Sequence, residues 1–345
     1  MADITQTHAS SLLDRLDEAA IASAAPSQDQ VMRELRIKKK PGWTSRLSPS
    51  LAAFVTNPKG MSGVIILLAI ILFSILAPMF SEYNPHRRAG KPHVAPSYEH
   101  VMGTTRMGKD VYTQVAYGGR ISLGVGFGAG IAAAVIGLAI GISAGYFGGR
   151  VDDILTFFVN VVLVLPGLPL IIVIASLVDS AGPLVIGIVL ALTGWGWPAR
   201  TIRTQTLSLR TREFVLSAEL MGEKKWRIIF KEIFPNMLSF FMSGLVLGTI
   251  AAILAEAALS FIGLGDPNAV TWGTMLYWAQ NNMALQTGAW WEIWPPALAI
   301  MLTGAALVMI NFAVDEITNP QLKAGRKIGL IRKFLKRRGR SADVF

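Results

Sequence analysis

The chain contains no cysteine, which excludes disulfides and thiolate metal sites without identifying a compartment. Charge is scarce as well: 16% of the 345 residues are Asp, Glu, Lys or Arg, while 52% are hydrophobic. With a mean hydropathy of +0.48, the chain is too apolar for one soluble domain and too poor in charge to solvate its own surface. Charge is missing altogether from six stretches: 61–80, 121–149, 154–178, 180–199, 237–255 and 293–314, the fifth continuing past Glu256 to residue 265. No nucleophile with a neighbouring base and no cluster of metal ligands is recognisable, so nothing supports a membrane enzyme.

Each apolar run is near or above the roughly 20 residues that a helix needs to cross about 30 Å of hydrocarbon. Continuous runs of this kind span only as helices, because every backbone N–H and C=O must find its partner within the segment. The expectation is an all-α integral membrane protein with six transmembrane helices. A polar tail (1–55) precedes the first span (56–80), so that span is not read as a cleavable signal peptide. An outer loop (81–120), a five-helix core (121–315) and a basic tail (316–345) follow.

Lys and Arg set the orientation. Seven lie between Arg33 and Lys59 and nine between Lys323 and Arg340, whereas the loop from Asp266 to Glu292 has none. The positive-inside rule then places both termini in the cytoplasm and the loops after spans one, three and five outside. The outer loop 81–120 holds six basic side chains against this assignment, and four strongly basic inner regions outweigh it. The net charge of +10 thus reads as a topology signal and an affinity for anionic lipid, with no nucleic-acid footprint.

Within the spans, glycines recur at four-residue spacing: Gly124 with Gly128, Gly126 with Gly130, Gly137 with Gly141 and Gly145, and Gly244 with Gly248. Such stripes let helices approach closely, either inside this bundle or against a second subunit. Pro166 and Pro169 interrupt span three, and a kink there frees carbonyls that can line a pathway. Glu256 is the only ionisable group well inside a span, a default candidate for a proton relay or pathway residue. One carboxylate is too few for a transporter driven by protons or sodium, so the energy is expected from elsewhere.

The outer loops carry weaker signals. Gly103 to Lys109 has the spacing of a phosphate-binding loop, but Asp110 stands where Ser or Thr would bind Mg²⁺ and no strand precedes it. His86, His93 and His100 fall seven apart, which raises a nickel or zinc site against solvated bystanders. Met107, Val111, Val115, Tyr112 and Ala116 make an apolar face closed by Gly118 and Gly119, so a short helix on the outer surface is expected. Trp272, Trp278, Trp290, Trp291 and Trp294 fit an aromatic belt, with sugar stacking as the sharper alternative.

The connection 200–236 between spans four and five is far longer than a turn and holds eight Lys or Arg and four Glu. Phe214, Val215, Ala218, Leu220 and Met221 fit one short helix ending at Gly222, and Trp226, Ile228, Ile229 and Ile233 fit a second. Pro235 then precedes span five. Two helices bent at a glycine form a rigid elbow suited to a partner, and an amphipathic hairpin on the membrane surface is the plainer alternative.

The run from Arg212 to Gly222, followed at fixed distance by Glu232, Ile233, Phe234, Pro235 and Asn236, resembles the EAA loop of ABC importer permeases. Most of residues 55–325 resembles one branch, the inner-membrane permeases of peptide and nickel importers of the dipeptide and oligopeptide type. The matching stretches are 57–63, 102–111, 117–123, 144–149, 256–265, 272–273, and Asn311, Asp315, Asn319 and Pro320. The pattern departs at Leu216, which replaces the leading glutamate, at Thr105 and at Asn160. The resemblance implies a coupling segment carried by Glu213, Ser217, Ala218, Glu219, Gly222 and Pro235. Pro166, Pro169, Asn160 and Glu256 remain pathway candidates. It also implies a second permease subunit, two ATPases that carry ATP and Mg, and an extracytoplasmic substrate-binding protein. No cofactor, metal or catalytic residue is expected on this chain. Di- and oligopeptides rank first as substrates, with oligosaccharides or a nickel complex as alternatives, and a stand-alone secondary transporter is the competing class.

Overall fold

A computed structural model of the chain describes residues 54–165, 167–177 and 182–318. Residues 1–53 of the polar N-terminal tail, the basic C-terminal tail beyond residue 318 with Asn319 and Pro320, and Pro166 lie outside these. The described residues are almost entirely helical, and Thr104 and Asp110 form an isolated bridge in the outer loop.

Helix α1, Pro58–Phe80, begins where Asn57 accepts hydrogen bonds from the N–H groups of Lys59 and Gly60, with proline in its first turn. Pro78 within it cannot bond the carbonyl of Ser74. Arg120 fills that role: its Nε donates to Ser74 O at 2.8 Å and its Nη2 to Ile75 O at 2.7 Å.

Helix α2, Val111–Phe147, has 37 residues and is about 55 Å long at 1.5 Å per residue, well beyond the hydrocarbon thickness. The short surface helix expected to close at Gly118 and Gly119 is thus the first part of α2. Those glycines do not end it because they serve close packing. A Cβ at Gly118 would lie 3.2 Å from the Thr271 backbone, and one at Gly119 would collide with Ser74 Oγ.

The third apolar run divides into α3, Gly149–Val164, and α4, Gly167–Ser176. Leu165 between them is extended, with ψ 127°, as sterics demand of a residue before proline. Neither piece alone is long enough to span, so five helices among the described residues meet that length and hydropathy where six spans were expected. The fourth run forms α5, Pro183–Gly194, and α6, Gly196–Arg210, joined only by Trp195. Helix α6 therefore extends the fourth span through residue 210, into what reads as a loop in the sequence.

After α7, Glu213–Leu220, and the single turn α8, Lys225–Arg227, a π-helical turn at Ile228–Ile233 leads into α9, Phe234–Phe261. Helix α10, Trp272–Asn281, lies in the last outer loop, and α11, Trp294–Thr318, ends the bundle. Helix α2 packs against α1, α5, α6 and α9, and α1 packs along α11. Most of the glycine stripe is spent inside this bundle. A Cβ at Gly130, Gly137, Gly141 or Gly145 would come within 2.6 Å of Thr249, Pro198, Ala199 or Thr206, whereas Gly124, Gly128 and Gly244 face open space.

Candidate functional site

Helix α7 sits at the end of the bundle that the positive-inside expectation assigns to the cytoplasm, termed its inner end, and the opposite end is termed outer. Glu213 occupies its first turn, where a carboxylate complements the helix dipole. Its other end closes in a double hydrogen bond: Gly222 N–H donates to Glu219 O at 3.0 Å and Glu223 N–H to Ala218 O at 3.1 Å. This closure requires a left-handed residue, and Gly222 has φ +73°. A Cβ there would meet nothing within 4 Å, so backbone conformation, not space, calls for glycine.

Val215 and Ala218, three residues apart on one helix face, are buried among Ile142 and Tyr146 of α2, Ile202 of α6, and Ile228, Ile229, Ile233 and Met237. The opposite face carries Leu216 and Ser217, both exposed, and Glu219, one turn after Val215, is exposed at the edge of the buried face. At its tip Leu220 is 89% exposed and Met221 73% exposed. Exposed Trp226 and Phe230 stack beside it at 5.8 Å and 14°. Polar ties steady the elbow: Tyr146 Oη donates to Glu219 Oε1 at 3.3 Å, and Arg227 Nε lies 3.2 Å from Glu223 Oε2.

Pro235 falls in the first turn of α9, downstream of the π-turn, and no break separates the expected second short helix from span five. The extra residue of the π-turn places the Phe234 N–H on Ile229 O, five residues back, just where proline interrupts the ordinary ladder. Asn236 Nδ2 donates to Glu232 O at 2.6 Å. The EAA residues therefore divide between two roles. Val215 and Ala218 anchor the helix and Glu219 ties its edge to Tyr146, while Ser217, Leu220 and Met221 face outward.

The pathway candidates do not converge. Asn160 is exposed on α3 and Pro169 on α4. Glu256 is fully buried in α9, its Oε1 accepting from Ser260 Oγ at 2.9 Å and its Oε2 from Ser122 Oγ at 3.2 Å. Ser122 in turn accepts the Trp272 N–H at 3.1 Å. The carboxyl is thereby the hub of a tie among α2, α9 and α10.

On the outer face the histidines separate. His100 Nδ1 lies 2.9 Å from Asp110 Oδ1 and His93 Nδ1 lies 3.0 Å from Glu292 Oε1. The phosphate-loop spacing forms a turn with positive φ at Gly103 and Gly108. Asp110 caps α2 by accepting from Thr113 N–H at 2.8 Å, so a carboxylate already occupies the helix start that would otherwise receive phosphate. Two of the belt tryptophans are structural: Trp272, 1% exposed, donates its indole N–H to Val115 O, and Trp291 donates to Thr104 O. Trp290 and Trp294 are exposed, as a belt requires.

One pair was not singled out in the sequence. Arg203 of α6 grips Asp152 of α3 through Nε to Oδ1 at 2.5 Å and Nη2 to Oδ2 at 2.7 Å. Both sit among many charges near the inner face, and only the fold brings residues fifty positions apart together.

A family model described as binding-protein-dependent transport system inner membrane component matches residues 137–324, a stretch that includes the elbow. A second, the N-terminal TM domain of oligopeptide transport permease C, matches residues 47–96. Among curated proteins, the dipeptide transport system permease protein DppC of Bacillus subtilis is 35% identical over 272 residues, 77% of this chain and 83% of that protein. The oligopeptide transport system permease protein OppC of the same organism is 33% identical over 279 residues, covering 79% and 89%. A putative peptide transport system permease protein of Brucella suis is 32% identical over 265 residues, covering 76% and 87%. The chain is a multi-pass membrane protein and belongs to the family of binding-protein-dependent transport system inner membrane components.

Proposed function

We propose that this chain is one of two permease subunits of an ATP-driven importer of di- and oligopeptides in a prokaryotic plasma membrane, with both termini cytoplasmic. Two ATPase subunits carry ATP and Mg, and a substrate-binding protein delivers peptide from outside. The observation that carries this reading is the elbow. Helix α7 is fixed from beneath by Val215 and Ala218, yet holds Leu220 and Met221 out in solvent. Apolar side chains so presented on a rigid support are suited to a protein groove. The peptide substrate follows from the names of the relatives.

Closure of the ATPase pair would displace α7, and through its anchors the inner ends of α2, α6 and α9, opening the bundle toward the outside. The test is purification from the membrane followed by dipeptide uptake into vesicles with the receptor present. Two ATPases are expected to accompany the wild-type chain. Leu220→Asp should lower ATP-dependent uptake by about tenfold or more, since a charge forced into an apolar contact costs a few kcal/mol. Uptake without ATPases, or full uptake by Leu220→Asp, would overturn the reading in favour of a stand-alone transporter.

A further inference from the structure

Helices α2 and α6 form one rigid pair, because Gly137, Gly141 and Gly145 bring the α6 backbone against α2. Helix α3 is attached differently. It follows α2 through Gly148 and Gly149, with φ +64° and +53°, two successive residues in a region that glycine enters at little cost. A Cβ at Gly149 would touch nothing within 4 Å, and one at Gly148 would meet only the Arg210 guanidinium at 3.0 Å. Val159 is the only buried residue of α3, while Phe157, Phe158 and Val164 are exposed. The junction is therefore built from glycine with little crowded against it, and α3 otherwise meets α6 where Val162 and Leu163 lie against Gly196.

The Asp152–Arg203 pair spans that junction. Asp152 lies in the first turn of α3 and also accepts from Thr156 Oγ1 at 2.9 Å. Arg203 lies on α6, two turns before the helix hands over to α7. The Arg203 and Asp152 side chains are 28% and 16% exposed, and an ion pair with that much water contributes little to stability. A two-pronged guanidinium–carboxylate contact does fix relative orientation.

We infer that Asp152 and Arg203 are positioning residues that lock α3 to the α2–α6 pair, so that displacement of the elbow is carried to the exposed face of α3, where Asn160 stands. This rests on the reading that ATPases act on α7. Without the lock the glycine junction lets α3 lag, and ATP is hydrolysed with less peptide moved.

The test uses the assembled complex in vesicles. Because this chain has no native cysteine, spin labels at Phe158→Cys and Thr204→Cys report the α3–α6 distance without background from this subunit. The wild type should give one narrow distribution with and without ATP. Asp152→Asn and Arg203→Gln should each broaden it and lower the peptide imported per ATP roughly two- to thirtyfold, the range of a broken coupling contact. Receptor-stimulated ATP hydrolysis should persist. The exchange Asp152→Arg with Arg203→Asp should restore both the narrow distribution and the import ratio. Narrow distributions and normal import in both single variants would overturn the lock, as would failure of the folded exchange variant to recover. Loss of the ATPases from the wild-type complex would instead overturn the functional reading on which the lock rests.

Discussion

At the outer end of the bundle, Trp272 is 1% exposed and holds Val115 O, Glu256 is fully enclosed between two serines, and Trp291 reaches back to Thr104 O. At the inner end, Leu220 is 89% exposed, and Trp226, also exposed, stacks on exposed Phe230. The outer end ties Trp272, Trp291 and Glu256 into contacts within one chain and leaves Trp290 and Trp294 exposed. The inner end shows apolar surface that the described residues do not cover, on a support stiffened by a glycine cap and a π-turn. A region whose buried aromatic and polar groups are tied internally is built to keep its shape, and apolar surface held out on a rigid base is suited to contact with another protein.

Trp272→Ala tests the first half of that contrast most severely. It removes an indole packed against α2 and its bond to Val115 O, and should lower stability by about 3–5 kcal/mol. Thermal unfolding of the purified protein in detergent reads this directly. Leu220→Ala should shift the same measurement by no more than about 0.5 kcal/mol, as expected of an exposed site. Equal losses at the two positions would erase the distinction between the ends.

Gly222 probes the inner end with an intermediate effect. Alanine fits the space but not the left-handed backbone, at a cost of roughly 1–2 kcal/mol, which frays the cap of α7 and lowers uptake without dissociating the bundle. Asparagine tolerates that region better, so Gly222→Asn should recover part of what Gly222→Ala loses. Uptake measured in parallel vesicles separates the two. Identical losses would mean that the cap does not set the position of the elbow.

Five of the six expected spans and the elbow were legible in the sequence because each rests on local chemistry, whereas the break in the third run and the far ends of α2 and α6 were not. Runs without charge identify spans, and a glycine followed by proline and asparagine at fixed distance marks the turn into span five. What was misjudged depended on distant neighbours. Gly118 and Gly119 read as a helix end, and only the approach of Trp272 and Ser74 shows why glycine is there inside a continuous helix. Ala218 reads as part of a contact surface, yet it faces inward because Ile228 and Ile233 return beneath it. The Asp152–Arg203 pair had no signal of its own, since a charge near a basic connection is ordinary and its partner lies three helices later, on α6.

Glu256 gives the smallest expected effect and bears on how the whole chain is powered. As a carboxylate it can carry a proton; as an acceptor for Ser122 and Ser260 it only holds helices together. Glu256→Gln separates these roles, because the amide keeps the shape and one acceptor but cannot exchange a proton at neutral pH. Its amide oxygen can take one serine hydroxyl and its NH₂ can donate to the other, so the tie is largely retained. The loss should be about 1 kcal/mol or less, the usual scale of a polar contact between membrane helices. ATP-dependent uptake should then remain close to wild type across a change in the proton gradient. If uptake collapsed while the unfolding temperature held, the buried carboxyl would be a relay, and the outer end would be a working part of the transport cycle in place of a fixed body.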